Sequence, residues 1–183
     1  MKLMLIVCLT GLLFAQSVMA EKADRNKPVY LEADRATVED VKRKESNRIS
    51  VFTGNVILTQ GTMRISADKV IMKEDLNGFR YATATGDLVS FRQKRDGMDE
   101  YVEGWSQRVE YDSKVNKIEL FRQARLKRGS DEVQGDYISY DMNSEFFKVI
   151  GSKERGIETG PDKRVRITIQ PKNTAEQLVA EIA

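Results

Sequence analysis

The chain has 183 residues, 30 of them basic and 28 acidic, and it contains no histidine and a single cysteine, Cys8. A chain of this length suits one domain with a substantial core, and the formal net charge of +2 gives little drive for binding nucleic acid, which is not an expected partner. The lack of histidine excludes histidine-based catalysis and the usual transition-metal sites, so we expect no metal and no cofactor.

The first twenty residues have the layout of a secretory signal peptide. A basic start is followed by an apolar run from Leu3 to Phe14 and by the small residue Ala20. This apolar run is too short for a typical membrane span. We expect cleavage after Ala20, so that residues 21–172 form one domain and residues 173–183 form a tail, either a short helix or disordered. The cleaved chain has no cysteine, and its fold then depends on packing and hydrogen-bonded strands.

Residues 51–58 predict a β-strand with one apolar face, because Phe52, Val56 and Leu58 share one parity. The sequence Gln60-Gly61-Thr62 is a turn signal, and the residues after it predict the returning strand of a hairpin. A lone hairpin is only marginally stable in water, so this one must pack against further strands.

Three similar stretches of the chain each contain an aspartate preceded by alanine or glycine. These aspartates are Asp34, Asp68 and Asp136, and a looser fourth copy occupies residues 102–111. The apolar positions change parity at each copy, which predicts a β-bulge or corner in each strand. The aspartates either cap these bends through local hydrogen bonds or act as catalytic carboxylates or calcium ligands. Repetition of this kind predicts units that share one continuous core.

Turn signals such as Asn77-Gly78 and Asp96-Gly97 separate further β-rich runs. One strand with its turn takes about 8–12 residues, which predicts about 14–16 short antiparallel strands. The predicted fold is therefore all-β and built from repeated bent-strand hairpins. Residues 39–48 are almost all polar or charged and predict either a short helical turn or a loop.

The apolar positions that point inward form either an ordinary sandwich core or a surface that binds lipid, and the residues alone leave both interpretations open. These positions are Val29, Leu31, Phe52, Val56, Leu58, Ile65, Val70, Met72, Leu88, Phe91, Val109, Tyr111, Leu120, Leu126, Val133, Ile138 and Tyr140.

Three stretches carry a resemblance to a known family. Residues 51–56 (VFTGNV), 59–62 (TQGT) and 65–70 (ISADKV) resemble the signature of the OstA-like (LptA) family of periplasmic lipopolysaccharide-transport proteins. The likeness extends to residues 28–34, 102–104 and 134–136, and it is lost at residues 39–44, at 73–84 and in the tail. The resemblance implies an open, twisted β-jellyroll in the periplasm that shields the acyl chains of lipopolysaccharide in its apolar interior. It also implies head-to-tail stacking with itself, with an LptC-like partner at the inner membrane and with an LptD-like partner at the outer membrane.

The resemblance places lipid contacts on the first strand and on interior aromatic residues, here Val29, Leu31, Phe91 and Tyr111. The other inward positions that we expect to contact lipid are Phe52, Val56, Leu58, Ile65, Val109, Leu126 and Ile138. The implied stacking interface pairs the first strand with the last and involves Pro28, Val29, Val165, Ile167 and Ile169. Candidate cations that meet lipid phosphates at the rim are Arg64, Lys69 and Arg92.

Two alternatives to lipid transport remain from the sequence. One is a β-repeat scaffold of the periplasm whose core holds no lipid. The other is a glycan-acting β-sandwich enzyme, although no pair of carboxylates is singled out by its context, and we expect no enzymatic activity.

Overall fold

A computed structural model describes residues 24–40, 48–152 and 164–170 of the chain. The predicted signal peptide and the predicted tail lie outside these ranges. The described residues form a short 3-10 helix at Asp24–Asn26 and ten β-strands. The strands are β1 (Val29–Glu32), β2 (Arg35–Asp40), β3 (Arg48–Gln60), β4 (Met63–Glu74), β5 (Arg80–Lys94), β6 (Tyr101–Asp112), β7 (Lys117–Arg128), β8 (Asp131–Asp141), β9 (Phe146–Ile150) and β10 (Arg166–Thr168).

All ten strands belong to one antiparallel sheet in the order β1-β3-β4-β5-β6-β7-β8-β10, while β2 pairs with β3 and β9 pairs with β8. Within the described residues the sheet does not close on itself, so the predicted all-β, open jellyroll is confirmed. The described residues form ten strands, whereas typical strand lengths predicted about 14–16. The number is lower because the segments on either side of most bends remain in one strand.

Residues 39–48 are partly strand, so the prediction of a helical turn or loop is wrong at both ends of this stretch. β2 continues to Asp40 and β3 begins at Arg48, and these two residues are paired in register. The Arg48 guanidinium also donates a hydrogen bond of 3.0 Å to the Asp40 carboxylate. Residues 41–47 lie outside the described part of the chain.

A line of irregular pairings crosses the sheet and is called the crease here. The break between β1 and β2 lies at Ala33-Asp34, opposite the skipped residues of β3. The predicted bends at Asp34, at Asp68 and within residues 102–111 are confirmed, and Asp136 lies at the same level of β8. The skipped pairings fall between Thr53 and Val56 in β3, Ser66 and Lys69 in β4, Thr85 and Val89 in β5, Trp105 and Arg108 in β6, and Phe121 and Ala124 in β7.

The sheet bends at the crease, and its two halves face each other as layers A and B. Layer A contains β1, β10 and the segments of β3–β8 that adjoin the turns at 61–62, 95–100 and 129–130. Layer B contains β2, β9 and the segments that adjoin the turns at 75–79, 113–116 and 142–145. A Cβ placed on Gly104 of layer A would lie only 2.6 Å from Cδ2 of Leu120 in layer B, so the two layers are in close contact at this glycine.

Two of the crease aspartates, Asp34 and Asp68, bond to the neighbouring strand rather than locally, which differs from the predicted local caps. The Asn55 side-chain amide donates a 3.1 Å hydrogen bond to Asp34 Oδ2, and the Asp87 backbone N–H donates one of 3.2 Å to Asp68 Oδ2. These bonds join adjacent strands at the crease. Within the described ranges, no group of three or more Cys, Asp or Glu side chains is arranged to hold a metal ion.

Gly54→Ala should destabilise the chain more than Gly78→Ala does. Both glycines have a φ of +81°, so each alanine has a similar left-handed conformational cost of about 1–2 kcal/mol. A Cβ at Gly54 would also lie 2.2 Å from Asp34 Oδ2, whereas a Cβ at Gly78 would meet nothing within 4 Å. We expect an excess loss of about 1–3 kcal/mol at Gly54, measured by urea unfolding.

The control for this prediction is the double variant Gly54→Ala/Asp34→Ala. Asp34→Ala removes the two closest atoms, Oδ2 and Cγ, and leaves Cβ of residue 34 at 2.9 Å, so the double variant should recover part of the excess loss. Equal unfolding free energies for Gly54→Ala and Gly78→Ala would contradict the crowding of the crease.

Candidate functional site

Layers A and B enclose a single apolar cluster, and all eleven predicted lipid-contact residues belong to it or pack against it. Three of them, Val29, Leu31 and Phe52, are half-buried at the β1–β2 end of the cluster. The others are buried inside it: Val56, Leu58, Ile65, Phe91, Val109, Tyr111, Leu126 and Ile138.

The inward assignment of Leu88 is wrong. Leu88 is 64% exposed, and its neighbour Val89 is completely buried. Residues 86–88 are skipped between the pairs that β5 makes with β6, so the inward parity changes within the bulge. The sequence prediction placed both Leu88 and Phe91 inward although they differ in parity, and only Phe91 is buried.

The cluster also contains buried residues that the sequence prediction missed. The alternation of Ile118 with Leu120, and of Val102 with Gly104, was a visible signal for two of them. The missed residues are Met63, Ala67, Ala82, Ala84, Val89, Val102, Ile118 and Ala124.

The edge of the molecule opposite the crease, where the turns of layer A face those of layer B, is called the mouth. Two sets of contacts bridge the mouth, and the first is made by the 3-10 helix at Asp24–Asn26. The Thr62 backbone N–H donates a 2.9 Å hydrogen bond to the buried Asp24 carboxylate, and Gln60 Nε2 donates to the Arg25 carbonyl at 3.0 Å. Arg25 Nη2 reaches across to the Ser113 carbonyl of layer B at 3.5 Å. This helix therefore lies across the mouth.

The second contact that bridges the mouth is an ion pair between Arg95 of layer A and Glu145 of layer B, called the latch here. Arg95 Nε donates to Glu145 Oε1 at 3.2 Å, and Arg95 Nη2 donates to Glu145 Oε2 at 2.6 Å. Arg95 Nη1 also donates to Glu100 of its own turn at 2.7 Å. The Arg95 side chain is only 14% exposed, so this bidentate pair is better shielded from water than an ordinary surface salt bridge.

A cavity of about 280 Å³ adjoins the latch at the mouth. Its lining combines the cations Arg25, Lys94 and Arg95 and the carboxylates of Asp96 and Glu145 with the apolar side chains of Val102 and Met142 and the ring of Tyr140. Burial raises the pKa of the Tyr140 hydroxyl to about 12, so this hydroxyl stays neutral at physiological pH. The cavity thus presents three cations, two carboxylates and apolar groups side by side.

The three rim candidates lie away from the mouth. Arg64, Lys69 and Arg92 are exposed and alternate with buried residues of the cluster, which places them on the outer faces of the layers. The Arg92 guanidinium stacks at 3.7 Å from the centre of the Tyr101 ring. The cations at the mouth, Arg25, Lys94 and Arg95, gave no periodic signal in the sequence.

The predicted interface residues lie at two opposite edges of layer A. Pro28 and Val29 precede or begin β1, whose described neighbour is β3. Ile167 lies in β10 and is 57% exposed, while Val165 and Ile169 flank this strand and are also exposed. β10 pairs with β8 through Arg166–Thr168, so the interface candidates Val165 and Ile169 lie just outside the strand at either end.

No helix in the described ranges has the length and apolar character needed to cross a membrane.

Comparison with known proteins finds relatives that are all lipopolysaccharide export proteins. The LptH lipopolysaccharide export protein of Pseudomonas aeruginosa is 27% identical over 173 residues, which cover 94% of this chain and 95% of that protein. The LptA lipopolysaccharide export protein of Escherichia coli K12 is 28% identical over 190 aligned residues, which cover 98% and 95% of the two chains.

A solved structure shares the fold. The crystal structure of LptH from Pseudomonas aeruginosa, the LptA-homologous periplasmic component of a lipopolysaccharide transport device, superposes with a TM-score of 0.72 at 26% identity. The match covers 81% of this chain and 99% of that one. Residues 30–146 match the family described as LptA/(LptD N-terminal domain) LPS transport protein. The chain therefore belongs to this family of lipopolysaccharide-transport proteins.

Proposed function

We propose that the chain carries lipopolysaccharide across the periplasm with the acyl chains held between layers A and B. The observation that supports this most directly is the apolar cluster, which runs without interruption from β1 to β8 inside a sheet with unclosed ends. The sugars and phosphates of the lipid remain in water at the mouth. Membership of a lipopolysaccharide-transport family supports the same ligand.

The energetics of acyl chains explain why such a carrier needs an apolar interior. Burial of one CH₂ group is worth about 0.8 kcal/mol, so an acyl chain of about twelve to fourteen carbons left in water costs on the order of 10 kcal/mol. The interior side chains contact one another across the cluster. Lipid entry therefore requires the layers to separate, and contacts with acyl chains then replace contacts between the layers.

We also propose that copies of the chain stack end to end through the edges of both layers. In the part of the chain that the structure describes, each layer has eight strands in antiparallel order, β1 to β10 in layer A and β2 to β9 in layer B. An even number of alternating strands gives the first and last strands opposite directions, so a second copy added at the end continues both layers as antiparallel sheet. An LptC-like or LptD-like jellyroll partner adds to the same edges by the same strand addition.

A periplasmic scaffold with a dry core is the second candidate, and the mutual packing of the interior side chains is the observation in its favour. Photo-crosslinking separates the two functions. A photoreactive amino acid at Phe91 or Tyr111 should capture labelled lipopolysaccharide, because both side chains lie in the apolar cluster. We expect capture at these positions to exceed that at Lys127 by about tenfold or more.

Lys127 is the matched control, because it is exposed on the outer face of layer A, next to the buried Leu126 in β7. Capture at Phe91 and Tyr111 that is no stronger than at Lys127 would overturn the carrier function and leave the scaffold.

A further inference from the structure

The backbone at Glu145 indicates that its side chain is needed where it lies. Glu145 has a φ of +55° in the turn between β8 and β9, a left-handed conformation that glycine or asparagine adopts at lower cost. Such strain persists where surrounding interactions over-determine the conformation. Here the Glu145 carboxylate forms the latch with Arg95, and the Glu145 carbonyl accepts a 3.4 Å hydrogen bond from Arg128 Nη1.

Two carboxylates, Glu100 and Glu145, bind the Arg95 guanidinium, and they differ in whether they connect the two layers. Glu100 binds Arg95 within the same turn, so it holds the guanidinium without joining the layers. Glu145 binds the same guanidinium from layer B, so of the two carboxylates on Arg95 only Glu145 ties the layers together. The hydrogen bond from Arg128 of layer A to the Glu145 carbonyl also joins the layers here. Lys94 and Arg25 line the same cavity, and Lys94 pairs with Asp99 at 3.1 Å.

We propose that this cavity binds the phosphate group of an amphiphile, and that the phosphate replaces the Glu145 carboxylate on Arg95. This inference rests on the proposed carriage of lipopolysaccharide. Phosphate oxygens offer a guanidinium the same bidentate geometry as a carboxylate, with more negative charge. The exchange breaks the latch, so headgroup binding at the mouth opens the path by which acyl chains pass Val102 and Met142 into the cluster.

Four variants test this exchange. Arg95→Gln removes the guanidinium that binds the phosphate. Glu145→Gln removes the competing charge, and Glu145→Gly removes it while also relieving the strained φ, which guards against a result caused by misfolding. Glu100→Gln is the matched control, because it removes one carboxylate from Arg95 and leaves the contact between the layers in place.

The experiment compares three probes on the full chain. They are lipid A with its phosphates, the same lipid after enzymatic removal of the phosphates, and inorganic phosphate. Spin labels on cysteines at the exposed residues Met98 and Phe146, in a Cys8→Ser background, report the distance across the mouth by pulsed dipolar spectroscopy. Equilibrium binding is measured in parallel.

We expect the parent to bind phosphorylated lipid A about ten- to a hundredfold more tightly than the dephosphorylated lipid, and Arg95→Gln to lose this preference. The mouth distance should increase with the phosphorylated lipid in the parent. It should increase without any lipid in Glu145→Gln and Glu145→Gly, but not in Glu100→Gln.

Equal affinity of the parent for both lipids would overturn the phosphate site while leaving acyl-chain binding intact. An opening by inorganic phosphate as large as that by lipid would assign the site to free phosphate and overturn the headgroup role. Failure of both lipids to bind would overturn the proposed function itself.

Discussion

Val89→Asp should prevent the chain from folding at neutral pH, whereas Leu88→Asp should change the free energy of unfolding by no more than about 1 kcal/mol. The two residues are adjacent in β5, yet Val89 is fully buried in the apolar cluster and Leu88 is 64% exposed at the crease. An unpaired carboxylate in an apolar interior costs several kcal/mol. That cost is comparable with the whole stability of a typical domain, about 5–15 kcal/mol.

Far-ultraviolet circular dichroism and urea unfolding measure both variants against the parent. Val89→Ala serves as a second control, because it leaves a cavity without adding a charge and should retain the fold at lower stability. A Val89→Asp chain that unfolds at the same urea concentration as the parent would contradict the burial of this position. A Leu88→Asp chain that fails to fold would contradict the parity change at the bulge.

Ile167→Pro should abolish end-to-end association of the chain. β10 is the outer strand of layer A, and it pairs with β8 through only three residues, Arg166–Thr168. Proline removes a backbone donor and restricts φ in this strand, so the edge can no longer pair on both sides. We expect the parent's mean mass to rise with concentration over about a hundredfold range, and the Ile167→Pro chain to stay monomeric.

Ile167→Thr is the matched control, because it shortens the side chain but keeps the backbone donor and a β-branched residue that suits a strand. It should still associate, although more weakly than the parent. Sedimentation equilibrium gives the masses of all three chains. A parent that is monomeric at every concentration, or an Ile167→Pro chain that grows as the parent does, would contradict the stacking proposal.

The amino-acid sequence by itself determined the all-β class, the bends at Asp34 and Asp68 and the inward face of most strands. The physical reason is that alternation with a period of two is a local property, readable wherever a strand runs without interruption. Phe52, Val56 and Leu58 were placed on the inward face in this way, and all three belong to or pack against the cluster. The resemblance to a transport family came from the same stretch.

Only the tertiary structure decided at which residue of the β5 bulge the inward parity changes, and which residues meet at the mouth. The number of skipped residues depends on how β5 pairs with β4 and β6, which alternation within β5 does not specify. Arg95 and Glu145 are 50 residues apart, and Asp24 and Thr62 are 38 apart. Arg95 and Glu145 meet because the crease brings the turns of one layer over those of the other, whereas Asp24 meets Thr62 because β1 pairs with β3 and carries the preceding residues to the turn at 61–62. Both contacts are long-range consequences of the fold that no local pattern encodes.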